Sequence, residues 1–174
     1  DLAVGLNSLN FTRLYNYFLS LSENEKKRLF KINEKFNGKL SLYADKIYSS
    51  YNIVESFESR VQFKNTNILI EQLLFNLGKL GAADLVGRIS KDKKFTNFKF
   101  QSNIFVDNKK KFLSKFGIFN KKDLPLSFYI SANFDFDNLK TNFYEISDGE
   151  DLNNEDVNFI EKEFNNQMLE EGYE

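Results

Sequence analysis

Apolar and polar positions alternate most regularly between residues 124 and 137. The stretch reads Leu-Pro-Leu-Ser-Phe-Tyr-Ile-Ser-Ala-Asn-Phe-Asp-Phe-Asp, and every even-numbered position in it is apolar. Successive side chains of a strand point to opposite faces of a sheet, so this pattern predicts one long strand with an apolar face and a polar face. At about 3.3 Å per residue the strand would be roughly 40 Å long. The segment 139–147 is predicted to pair back on it, which gives a long strand pair over 124–147.

The same two-residue period predicts an antiparallel sheet over residues 38–107. Alternating segments begin near Leu40, Phe57 and Thr96, with turn residues between them. The apolar run 67–77 is open to two interpretations, because periodicity alone does not separate a buried strand from a helix. Two strands, 67–77 and 82–91, divided by a pair of turn glycines, are favoured because both neighbouring segments are strands.

Other segments carry the 3.6-residue period of helices. They are a hairpin of two helices over 10–36, a short helix over 108–117 and a C-terminal helix over 153–170. Each helix is preceded by a residue whose side chain can cap free backbone N–H groups. These residues are Asn10, Ser22 (with Glu25 three positions later), Asn108 and Asn153.

Together the segments predict an α+β fold. Its parts are a large curved antiparallel β-sheet of about seven strands, two N-terminal helices, one short inserted helix and one C-terminal helix. No linker rich in Pro, Gly or Ser divides the chain, so residues 1–174 are expected to form a single domain. The chain begins at Asp1 without a methionine, and we interpret it as a fragment of a longer protein.

Composition argues against catalysis. The chain has no Cys and no His, which removes thiolate zinc sites, cysteine nucleophiles and the commonest general base. We therefore expect a protein that is not an enzyme, with no catalytic residue, no metal and no cofactor.

Carboxylates are the remaining candidates for chemistry. Asp45 and Asp84 lie among apolar neighbours, where an acid–base pair is conceivable, but strand-end and turn roles explain them more simply. An acidic group further along the chain does not match the spacing of a calcium loop and is interpreted as solvated surface. Its members are Asp135, Asp137, Asp148, Glu150 and Asp151.

Charge says little about partners. The formal net charge is −1 at pH 7, so no global basic field points to nucleic acid, and none is expected as a partner. Lysines in 91–94, 109–111 and 121–122 form a possible basic rim for anionic headgroups, although solubilising charge is the favoured interpretation. No run of about 18 apolar residues exists, so no membrane-spanning helix is predicted.

Three stretches, taken in order, resemble AsmA-like proteins. They are Phe36 to Ile47, similar to a strand that opens a repeat of that family's long curved sheet, Gly81 to Ile89, similar to the strand that leads out of such a unit, and Asn158 to Met168, similar to a helix near the family's C-terminal end. The resemblance implies a periplasmic protein of Gram-negative-type bacteria, held to the inner membrane by an N-terminal helix. It also implies a part in outer-membrane assembly and in moving phospholipid along an apolar groove. The anchor is missing here and the strands are too few for a conduit, so the chain would be one terminal unit of a larger protein.

The first hypothesis is a non-enzymatic envelope-biogenesis module whose apolar β-groove binds or transfers phospholipid. Its partners would be phospholipid acyl chains, the membrane through the missing anchor, and other envelope proteins. The predicted groove residues are the apolar positions of two alternating strands. They are Phe98, Phe100, Ile104, Leu126, Phe128, Ile130, Ala132, Phe134 and Phe136.

Two alternatives remain open. In the first, the chain is a structural or protein-interaction domain whose helices, 10–36 and 154–169, seal the same apolar face. In the second, it is a hot-dog-like enzyme acting on acyl thioesters, with 67–86 as a central helix wrapped by the sheet. The conformation of 67–77 separates the second alternative from the others.

Overall fold

The alternating segments form strands and the 3.6-period segments form helices in a computed structural model that describes residues 1–29, 35–49, 52–91, 96–115, 125–148 and 153–170. The strands are β1 Leu2–Leu6, β2 Leu9–Asn10, β3 Gly38–Ala44, β4 Ile47–Tyr48, β5 Ser56–Lys64, β6 Asn67–Asn76, β7 Gly81–Lys91, β8 Thr96–Val106, β9 Leu126–Asp135 and β10 Lys140–Ser147. The helices are α1 Phe11–Ser20, α2 Glu23–Leu29, α3 Lys109–Ser114 and α4 Asn154–Glu170, and a 3₁₀ turn spans Gly78–Leu80.

Eight of these described strands form one sheet in the order β1-β3-β5-β6-β7-β8-β9-β10. Neighbouring strands are antiparallel except for β1, which runs parallel to β3. The sheet is curved and unclosed, so the predicted α+β class with a large curved sheet is confirmed. Strand β1 was not predicted, because its five residues, Leu-Ala-Val-Gly-Leu, contain no polar residue to alternate with the apolar ones and its partner β3 lies far along the chain. The short strands β2 and β4 make a separate parallel pair.

The ambiguous apolar run is a strand. Residues Asn67–Asn76 form β6, which is hydrogen-bonded to β5 on one side and to β7 on the other. Backbone N–H and C=O groups used on both edges are not available for a helix. The hot-dog-like arrangement, with a central helix over 67–86, is therefore wrong.

The long strand is shorter than predicted. Strand β9 spans Leu126–Asp135, and Leu124 lies outside the described residues. Asp135 ends the strand because its Oδ1 accepts hydrogen bonds from the backbone N–H groups of Asp137 at 2.8 Å and Asn138 at 3.3 Å. Such local side-chain bonds give the backbone an alternative to the strand ladder. The chain then turns through Leu139, whose φ is 53°, and returns as β10.

The predicted helix caps are confirmed where they are described. The Oδ1 atoms of Asn10, Asn108 and Asn153 accept from the N–H group three residues later at 2.8, 2.8 and 2.9 Å. Ser22 and Glu25 form the reciprocal capping box, and the hydrogen bonds from the Ser22 hydroxyl and N–H hold the pKa of the Glu25 carboxyl below its ordinary value. Residues 30–34 and 116–117 of the predicted helices lie outside the described residues.

The two faces of the sheet differ in character. We call the apolar face the side that carries Phe57, Phe75, Leu85, Phe100 and Ile130, and the polar face the opposite side. A small core of Ala44, Ile47 and Phe57 lies at one end of the apolar face, where α1 packs on it.

Helix α1 crosses the apolar face from this core towards the far end of β9. The ring of Phe11 lies 5.7 Å from that of Phe57 and 6.3 Å from that of Phe75, and the ring of Phe18 lies 5.7 Å from that of Phe136. No helix in the described part of the chain is both long and apolar enough to cross a bilayer.

Helix α4 lies along the outer edge of β10. The Asn165 side chain accepts from the Thr141 N–H at 2.7 Å and donates to the Thr141 carbonyl at 2.8 Å. Glu161 Oε2 accepts from the Phe143 N–H at 2.9 Å. These bonds take the place of a further strand, so the edge of β10 is closed by side chains.

Candidate functional site

Eight of the nine predicted groove residues lie on the apolar face of two neighbouring strands, and the ninth follows directly after one of them. Strands β8 and β9 pair so that Phe98 is opposite Phe134 and Phe100 is opposite Ala132. In the same register Ile104 is opposite Phe128, Ile130 is opposite Ser102, and Leu126 is opposite Val106. Phe136 lies just beyond β9, with its N–H bonded to the carbonyl of Thr96 at 3.0 Å. The sequence pattern gave the face of each residue, and the register brings the nine together.

Four of these residues form a phenylalanine cluster. The rings of Phe98 and Phe100 are stacked at 5.0 Å, and those of Phe134 and Phe136 meet edge-on at 5.0 Å. Phe98 and Phe136 join the two pairs at 6.5 Å. Such aromatic pairs stabilise by about 0.5–1.5 kcal/mol beyond the area they bury. The cluster is capped at one point by Phe18 of α1.

The nine predicted groove residues, which we call the strip, are unevenly covered by the rest of the chain. Leu126 and Ala132 are buried, with 4% and 1% of their surface exposed. The large side chains of the strip are only half-buried; they are Phe98, Phe100, Ile104, Phe128, Ile130, Phe134 and Phe136. On the apolar face, each residue of β8 and β9 is either apolar or small and uncharged. The apolar face is therefore neither sealed along its full length nor fully open.

The candidate carboxylates have structural partners. Asp84 Oδ1 accepts from the N–H and the Nδ2 of Asn103, at 3.1 and 2.9 Å, and so ties β7 to β8. Asp137 Oδ2 accepts from the Thr96 N–H at 2.8 Å and joins the end of β9 to the start of β8. Asp45 is exposed at a strand end. Asp45 therefore fits the strand-end interpretation, whereas Asp84 lies within β7 and does not. Asp137 is partly buried and bonds the backbone, so it is not simply solvated surface.

The acidic surface group and the lysine rim are only partly described. Glu150 and Asp151 lie outside the described residues, as do 92–94 and 121–122. Among the described residues, no group of three or more acidic side chains is arranged to hold a metal ion. Lys109 lies 3.9 Å from Asp148, which is a surface ion pair.

The polar face carries a feature that was missed in the sequence. A depression of about 460 Å³, which we call the bulge depression, spans β6 to β10. It is lined by Leu69, Ile70, Glu71, Val86, Gly87, Arg88, Lys99, Phe100, Gln101, Ser131, Ala132 and Tyr144. Most of these residues alternate onto the polar face, so the depression lies on the side of the sheet opposite the predicted groove.

Two irregularities of the sheet flank the bulge depression. The β6–β7 register shifts between Ile70 and Leu73, and the β10–β9 register shifts between Phe143 and Glu145. Glu71 and Tyr144, which lie inside these shifts, both line the depression. A bulge bends the strand and re-aims a side chain. Neither bulge leaves a signal in the sequence, because each depends on how two strands pair.

Neither a known family model, nor a curated protein, nor a solved structure matches this chain.

Proposed function

We propose that the apolar face of β8 and β9 binds the acyl chains of phospholipid, as a non-enzymatic module of envelope biogenesis. One observation carries the proposal: large apolar side chains of this strip stay half-buried although α1 packs beside them. Covering this surface gains roughly 25 cal/mol per Å² whatever the cover is. An acyl chain fits this strip because the residues of β8 and β9 on the apolar face are uncharged, and all of them except Thr96 and Ser102 are apolar.

The setting proposed for the full-length protein follows from the resemblance to AsmA-like proteins. It is the periplasm, with an N-terminal anchor in the inner membrane and other envelope proteins as partners. The chain would then supply part of an apolar groove for phospholipid binding or transfer.

A sealed structural or protein-interaction domain is the second candidate. The contact of Phe18 with Phe136 and the burial of Leu126 and Ala132 favour it, because the chain's own atoms cover these points. The two candidates differ in whether the remaining half-buried strip accepts a ligand.

Lipid binding is tested with Phe128→Ala, and Phe105→Ala is the matched control. Phe105 lies on the polar face close to the same end of the sheet, and 55% of it is exposed. Full burial of a Phe side chain is worth about 1.5–3 kcal/mol, and at most about a third of Phe128 is left for a ligand to cover, so its loss should weaken fatty-acid binding about two- to fivefold. Binding is measured by titrating the delipidated protein with a fluorescent fatty acid, and Phe105→Ala should bind as the parent does.

Native mass spectrometry of the parent protein provides a readout that does not depend on any variant. Phospholipid retained after purification supports the proposal. A lipid-free protein that shows no saturable fatty-acid binding would overturn it in favour of the sealed domain. Equal weakening by both Phe variants would also count against a site on the apolar face, and thermal melts identify a variant that has lost its fold.

A further inference from the structure

We infer that the bulge depression on the polar face binds a small organic oxyanion, a phosphate or a carboxylate attached to an apolar or aromatic body. The inference does not depend on lipid binding by the apolar face. It rests on the charges in the depression, its exposed apolar side chains and the two bulges that shape it.

The charges are arranged for an anion. Arg88 and Lys99 are directly opposite each other on β7 and β8, and both are exposed. Like charges in this position destabilise a sheet. In the described part of the chain neither residue has an acidic partner, and Glu71, the acid that lines the depression, is paired with Lys39 at 3.1 Å. An oxyanion between the two cations would relieve their repulsion, with Arg88 offering a forked set of donors and Lys99 a mobile charge.

Apolar surface adjoins these cations. Leu69, Val86 and Tyr144 line the same depression, with 39%, 43% and 62% of their surface exposed. An inorganic anion alone would leave these side chains in water. A ligand with a ring or a short hydrocarbon body would cover them, and a depression of about 460 Å³ lies within the usual range for small-molecule sites.

The floor adds neutral polar groups. Gln101 and Ser131 are opposite each other on β8 and β9 and line the depression. Gln101 is exposed and Ser131 is partly exposed, so both side chains can turn to a ligand. The bulges then place Glu71 at one side of this floor and Tyr144 at the other. Two separate departures from regular pairing thus flank one depression, and bulges are frequent beside active sites.

The test is an NMR titration of ¹⁵N-labelled protein with inorganic phosphate, phenyl phosphate and benzoate. Phenyl phosphate or benzoate should shift amides of β7, β8 and β10 around the depression and should bind more tightly than inorganic phosphate. The tighter of the two identifies the oxyanion as phosphate or carboxylate. Arg88→Gln and Lys99→Gln should each weaken binding about tenfold, which equals about 1.4 kcal/mol.

Arg60→Gln is the matched control, since Arg60 is exposed on the same face but does not line the depression. It should leave binding within twofold of the parent. Tyr144→Ala should weaken phenyl phosphate and spare inorganic phosphate.

Three results would overturn the inference: no saturable shift at millimolar ligand, equal weakening by Arg60→Gln, or binding to anionic vesicles without any small-molecule binding. The last result would indicate a membrane-contacting surface instead. Phe128→Ala should leave the phenyl phosphate titration unchanged, so failure of the lipid proposal and failure of this one are distinguishable.

Discussion

At the scale of a single residue, Gly87 belongs to the apolar face and also lines the bulge depression. It lies in the middle of β7, opposite Phe100 and next to the bulge depression. A Cβ atom placed on it would meet the Phe98 ring at 2.6 Å, the Lys99 carbonyl oxygen at 2.7 Å and the Phe100 Cβ at 3.0 Å. The absence of a side chain therefore lets the stacked rings of Phe98 and Phe100 close over β7.

We expect Gly87→Ala to destabilise the protein by about 1–3 kcal/mol, because a backbone oxygen cannot move aside as a flexible side chain can. Gly38→Ala is the control, since a Cβ there would meet only Phe36, at 3.9 Å. That change should be neutral or slightly stabilising, because it reduces the freedom of the unfolded chain. Urea unfolding measures the free energy of unfolding of both variants, and equal values for the two would contradict the steric explanation.

Single side chains also set where the helices begin, and these were readable in the sequence. Asn10, Asn108 and Asn153 cap helices as predicted, because a cap needs only a short polar side chain and the N–H group three residues later. The end of β9 was placed two residues too late. Phe136 continues the alternation, but the Asx-type bonds of Asp135 turn the chain before it.

At the scale of elements, helix α4 covers the outer edge of β10 and provides hydrogen bonds that a further strand would otherwise make. Thr141 is 2% exposed, and both of its outward backbone groups are bonded by the Asn165 side chain. Buried backbone groups without partners cost free energy. Helix α4 therefore supplies hydrogen bonds to β10 in addition to the packing that its amphipathic pattern predicts. Its apolar stripe predicted that the helix would pack, and the Asn165 contact determines where.

Replacing Asn165 with Ala should cost about 1–3 kcal/mol, since it leaves the buried N–H and carbonyl of Thr141 unpaired. Hydrogen exchange at the Thr141 amide should accelerate more than exchange in the central strands β6 to β8. Asn166→Ala is the matched control, because Asn166 is exposed on the same helix turn. If the Thr141 amide exchanges at the same rate in both variants, the edge is protected by something other than this side chain.

At the scale of the whole molecule, one sheet separates the two proposed ligands. The half-buried phenylalanine strip and the bulge depression lie on opposite sides of β8 and β9. Phe100 and Ala132 belong to the strip on the apolar face and also line the depression, so the two sites are separated only by the thickness of the sheet.

A fatty acid and phenyl phosphate are therefore expected to bind the parent protein together. Saturating the apolar face with fatty acid should change the apparent dissociation constant of phenyl phosphate by less than about twofold, because each ligand is in contact with a different side of the sheet. Titrating one ligand at a fixed excess of the other measures this. Mutual exclusion would show that both occupy a single site.

The sequence by itself determined the helices and where they begin, most of the strands and which side chains share a face, because these depend on periodicity and on neighbours a few residues apart. It left the apolar run 67–77 open between strand and helix, and pairing with β5 and β7 decided it. Only the tertiary structure decided that β1 joins β3, that α4 closes the edge of β10 and that two bulges form a depression beside Arg88 and Lys99. Strand register is a long-range property: alternation tells the face of a residue but not its partner, and a one-residue bulge that shifts the partner leaves the local pattern almost unchanged.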